Sequence, residues 1–132
     1  MKDFDYTKAR QFLEKKERDR EQSLDERFNQ ASNDFQNIIK FIIEKYNPNR
    51  IYQWGSLLDR ENFTEISDID IALEGITSAE QIFEIYGAIM NMTDFSIDLI
   101  QIEKIEPEFA ELIKAKGKIV YERSWKNLDI EK

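Results

Sequence analysis

The chain contains neither cysteine nor histidine. The first absence excludes a disulfide framework and any thiolate-held zinc; the second removes imidazole as a base, proton shuttle or metal ligand. Any catalysis must therefore run on carboxylates, hydroxyls, Lys, Arg, Tyr or bound ions. Long apolar runs are missing too: no stretch reaches the roughly 20 residues of a membrane span. Met1-Lys2-Asp3-Phe4-Asp5 lacks the basic start and apolar run of a secretion signal. A cytoplasmic protein with no membrane association is the expectation.

Positive charge is the other shortage. The formal net charge is -8, and it is unevenly placed. Residues 1–46 hold ten Lys/Arg and ten Asp/Glu, which leaves nine (19 − 10) against seventeen (27 − 10) for residues 47–132. No basic cluster is large enough to track a phosphate backbone, so long nucleic acid is not the expected partner. An acidic domain of this kind also repels a nucleoside triphosphate, unless metal ions or a basic partner protein supply positive charge.

What is present fits a single domain of 132 residues, 41% of them hydrophobic. From Tyr6 to Tyr46 there is no Pro or Gly, which predicts one long helix or two abutting ones. Residues 14–27 are almost wholly polar and predict a solvated extension, either a bare helix face or an arm that docks a partner. Phe28, Ala31, Phe35, Ile38, Ile39, Ile42 and Tyr46 recur at three- and four-residue intervals, the stripe of a helix packed on a sheet. Asn47-Pro48-Asn49 ends it. Strands are predicted over Ile51–Trp54, Asp68–Leu73, Phe95–Ile102 and Lys118–Tyr121. One helix is predicted behind a capping box at Thr77-Ser78-Ala79-Glu80, and another over Pro107–Ala115, stopped by Gly117. The class is mixed α/β or α+β, with a polar tail at its end.

Asp68-Ile69-Asp70-Ile71 puts two carboxylates on one face of a strand and two isoleucines on the other, a geometry that suits a pair of metal ions. Spacing alone is weak evidence. With eleven Asp in 132 positions, chance supplies about one Asp-x-Asp, and Asp3-Phe4-Asp5 is an instance with no implied role. Context adds weight. Both carboxylates fall in an apolar run, Ile66–Leu73, that should be largely buried, and Asp98 sits likewise within Ser96-Ile97-Asp98-Leu99-Ile100. Unpaired carboxylates there are costly unless a cation offsets them. The bland alternative is three water-facing carboxylates on a half-exposed sheet. Gly55-Ser56, at the end of the first strand, lets backbone approach a phosphate closely, although a Gly-Ser pair is often only a turn.

Taken together, Gly55-Ser56, eleven intervening residues, Ser67-Asp68-Ile69-Asp70-Ile71 and then Ile97-Asp98-Leu99 resemble the DNA polymerase β-type nucleotidyltransferase superfamily. The closing Glu108-Phe109-Ala110-Glu111-Leu112-Ile113, before Gly117 and Ile119-Val120-Tyr121, is similar to the minimal nucleotidyltransferases. The resemblance covers residues 35–122, leaving residues 1–34 as a charged helical extension and 123–132 as a tail. It implies a small mixed sheet flanked by helices, two magnesium ions held by Asp68, Asp70 and Asp98, and ATP as substrate. It further implies nucleotide contacts at Gly55, Ser56, Arg60 and Ser67, and Asp98 as acceptor of the attacking hydroxyl's proton. One departure stands out. Where relatives often carry basic residues and a glycine after Gly-Ser, Leu57-Leu58-Asp59-Arg60 follows here, with Arg60 the sole nearby cation and a solvated loop position its alternative reading.

Minimal nucleotidyltransferases resemble antitoxins that neutralise helical HEPN-domain ribonucleases by transferring AMP to a tyrosine. The resemblance thus implies adenylylation of a HEPN toxin, in a hetero-oligomer with it. Two alternatives stay open: a non-catalytic module that masks its partner, and nucleotide transfer to a cationic small molecule such as an aminoglycoside.

Overall fold

The computed structural model describes residues 5–124. Of the expected tail, only Arg123 and Ser124 fall within them; the rest lies outside the described residues.

A single helix, α1 (Tyr6–Tyr46), opens the chain. Its 41 residues give a rod about 60 Å long. The Asp5 carboxylate starts it by accepting from the Lys8 amide, and Asn47 stops it in a left-handed conformation (φ 45°). The expected stripe is buried: Ala31, Phe35, Ile38, Ile39 and Ile42 form the heart of the core. Residues 14–27 are exposed, as expected, at every position but one. Leu24 is buried, and Arg20, Glu21, Asp25 and Arg27 all bond to the loop that follows β1. The block is thus solvated, and its charges also pair at exposed positions with the matching charges of that loop.

Four strands make one sheet: β1 (Arg50–Trp54), β2 (Ile69–Glu74), β3 (Ile97–Gln101) and β4 (Lys118–Glu122), in the order β3-β2-β1-β4. β1 runs antiparallel to both neighbours, whereas β2 and β3 are parallel and therefore need the crossover helix α2 (Ala79–Ile89) between them. The last helix, α3 (Pro107–Lys116), has Pro at its first turn and Gly117 past its end, as expected. Two boundaries differ from expectation. The capping residue of α2 is Ser78, whose hydroxyl accepts from the Gln81 amide at 3.2 Å, one residue later than a box begun by Thr77. The second strand is shifted by one residue, starting after Asp68 and ending at Glu74, and the third is shorter than predicted, because residues 95–96 lie before the paired ladder and Ile102 begins a 3-10 turn.

Strand alternation sorts β2 by face. Ile69, Ile71 and Leu73 join the α1/α2 core, with Ile85 and Ile89 of α2 packed there as well. Ala72 packs on the other side with Tyr52, Ile102 and, from α3, Ala110 and Ile113. Asp70 shares this second face. Among the described residues no helix is long and apolar enough to cross a membrane.

Candidate active site

The parallel register of β2 and β3 sets Asp70 beside Asp98. The antiparallel register of β1 and β2 sets Trp54 opposite Asp70, so that the chain leaves β1 next to that carboxylate. The exit residue is Gly55, with φ at +81°. A Cβ built there would lie 2.1 Å from the Asp70 Oδ2. Glycine is thus required twice, for its backbone conformation and for the close approach of the main chain to the carboxylate. Ser56 then begins a 3-10 turn, Ser56–Leu58.

Asp70 is half-buried, whereas Asp68 and Asp98 are exposed. The expectation that all three sit in buried runs is therefore corrected. Residues of a run alternate between faces, and Asp68 precedes the ladder while Asp98 lies on an edge strand. Ile66, expected inside, is 89% exposed for the same reason. Burial, then the neighbouring charges of Asp98 and Asp68, push the Asp70 carboxyl up from 3.8 to about 6. No cation among the described residues offsets these effects, and none of the three carboxylates takes part in a hydrogen bond or ion pair there.

Such a cluster of hard oxygen donors under mutual repulsion has the chemistry that magnesium takes. As they stand, however, the three are neighbours that do not converge: among the described residues no group of three or more carboxylates is arranged to hold a metal ion.

The remaining expected positions fare differently. Ser67 lies in the same loop as Asp68, but its hydroxyl is committed locally, accepting from the Thr64 amide at 2.8 Å. Arg60 is taken up by α1, bonding Asp25 at 2.5 Å and Glu21 at 3.1 Å. Together with Arg20 to Glu65, these pairs fasten the loop between β1 and β2 to the helix.

Sequence reasoning missed a neighbouring feature. Between α3 and the Gly55 turn lies a cavity of about 290 Å³ whose walls include Trp54, Gly55, Leu58, Phe109, Leu112 and Lys116. Phe109 packs edge-to-face on Trp54, with ring centres 5.7 Å apart. The available signal was the spacing of Phe109, Leu112 and Lys116 at i, i+3 and i+7, one face of α3.

No curated protein matches the chain. Solved structures do match in fold. The crystal structure of the toxin-antitoxin MntA-HepT gives a TM-score of 0.54 at 18% identity, covering 75% of this chain and 78% of that one. A toxin-antitoxin structure with AMP-PNP gives 0.54 at 21% identity, covering 68% and 75%. The tri-AMPylated Shewanella oneidensis HEPN toxin in complex with MNT antitoxin gives 0.52 at 18%, covering 76% and 78%. The polymerase beta nucleotidyltransferase family model matches residues 36–126, which span the Gly55 turn and all three carboxylates. By that match and by its fold, the chain belongs to the polymerase beta nucleotidyltransferase family.

Proposed function

We propose that this protein transfers AMP from ATP to a tyrosine hydroxyl of a partner protein, a helical HEPN-type ribonuclease toxin of the cytoplasm, and so neutralises it. The observation that carries the reading is the uncompensated carboxyl group of Asp70, in register with Asp98 and pressed against Gly55. The similarity to toxin-antitoxin structures, one with AMP-PNP and one with a tri-AMPylated toxin, supports the nucleotide and the partner class.

Two magnesium ions on Asp68, Asp70 and Asp98 would neutralise the triphosphate and favour in-line attack at the α-phosphorus. The chain's own residues do the rest. Gly55 lets the main chain and the Ser56 hydroxyl come close to the phosphates. Asp98, water-facing, takes the proton of the attacking hydroxyl as its oxygen bonds to phosphorus, and the bond to pyrophosphate breaks. Asp70, half-buried, is the rigid member of the set, because its strand is locked between β1 and β3.

A second reading, stoichiometric masking of the partner without transfer, is favoured by one observation: Arg60, the cation expected at the triphosphate, is engaged by α1. Intact-mass spectrometry of the co-purified partner, before and after incubation with ATP and magnesium, separates the two. AMP transfer predicts one or more AMP units on the partner, lost with Asp68→Asn along with neutralisation. Masking predicts no added mass, and neutralisation that survives Asp68→Asn.

A further inference from the structure

The carbon-lined cavity beside the Gly55 turn has no part in the carboxylate chemistry, yet Phe109 and Leu112 remain 37% and 47% exposed along it. We infer that this cavity seats the nucleobase of the nucleoside triphosphate, with Lys116 at its rim as the cation facing the sugar-phosphate portion. The inference rests on the nucleotidyltransferase reading and adds to it where the base lies and which residues select it.

Two observations converge. Gly55 is common to the cavity wall and to the contact with Asp70, so an occupant of the cavity is bound to lie within one nucleoside of the carboxylates. The walls suit an uncharged, flat ring system: the aromatic pair Trp54 and Phe109 and the side chains of Leu58 and Leu112 offer no partner to a phosphate.

Charge supports the same orientation. Residues 61–103 contain ten Asp/Glu and not one Lys or Arg. Arg60 is paired with α1, so the loop after Ser56 offers no free cation among the described residues. Lys116 comes from a helix sixty residues further on, and carries no ion pair among the described residues. α3 thereby provides both an apolar wall and the positive charge that the stretch after Gly-Ser lacks.

The test is titration calorimetry of the full chain with magnesium-ATP and with magnesium-tripolyphosphate, which presents the phosphates without base or sugar. The expected result is tighter binding of ATP by about tenfold or more, most of it lost in Phe109→Ala while tripolyphosphate binding is unchanged. Lys116→Gln is expected to weaken both ligands. Leu112→Gln, at a more exposed position, repeats the Phe109 test should Phe109→Ala fail to fold. Equal affinity for ATP and tripolyphosphate, or ATP affinity indifferent to both apolar substitutions, overturns the base site while leaving the phosphate and metal reading intact. Failure of both ligands to bind overturns the nucleotidyltransferase reading along with the base site.

Discussion

The two faces of β2 are built from alternate residues of one strand, yet they obey opposite rules. On the α1/α2 face, Ile69, Ile71 and Leu73 are fully buried in a continuous carbon core. On the α3 face, Asp70 keeps a carboxylate beside Asp98 with no cation among the described residues to neutralise it. The lesson is that the strand's rigidity is supplied from behind. The dry face holds the backbone still, so the wet face can carry groups that on their own would not hold together.

That contrast can be broken at its chemical end first. Asp70→Asn should lower AMP incorporation into the partner by roughly 10³-fold, the scale of losing a central charged group at a phosphoryl-transfer site. The fold should survive the change. Next comes the opposite face, where Ile71→Ala should cost about 3 kcal/mol in urea unfolding through the cavity it leaves. Its effect on transfer should follow only from the unfolded fraction.

Gly55→Ala attacks the junction of the two faces. The positive φ and the clash with Asp70 together should cost about 1–3 kcal/mol of stability, and ATP binding should weaken with it. A smaller effect sharpens the comparison by its sign. The folded-state pKa of Asp70 lies above its unfolded value, so the neutral carboxyl favours the fold below pH 3.8, and that contribution is lost as pH rises through about 6. In the absence of metal, Asp70→Asn should therefore be more stable than the parent at pH 8, by about 1 kcal/mol once solvent screening is allowed for. Melts at pH 4 should show the gap closed. The smallest effect is Arg60→Ala, which should cost under about 1 kcal/mol and disappear in high salt, as exposed pairs do.

Element order was legible in the sequence because helices and strands announce themselves locally. The stripe from Phe28 to Tyr46, the breakers at Asn47-Pro48 and Gly117, and the Pro107 start all lie where the pattern puts them. The opposition of Asp70 to Ile69 and Ile71 was likewise readable from alternation, whereas Asp68 proved to lie before the strand. Non-local relations were not. Nothing in Arg60 or Asp25 alone says that they meet across the loop, and the pairing of β4 with β1 depends on residues more than sixty positions apart. Burial failed at Ile66 and Asp98 because an apolar run does not reveal which of its residues lie before the ladder or on an edge strand. The cavity against α3 escaped for a related reason. Its walls come from two distant segments, and an apolar side chain that lines a cavity looks in the sequence like one that fills a core.

The strand order also sets a timetable for synthesis. β2, α2 and β3 can pair once the chain is free of the ribosome as far as residue 101, before β4 is available. The open edge of β1 must wait for β4, which is complete only at residue 122, and the wall formed by α3 arrives just before it. A chain free only as far as residue 101 thus holds the strands of Asp70 and Asp98 without the lock on β1 or the cavity beside it. Competence arrives late and nearly at once, with the last strand.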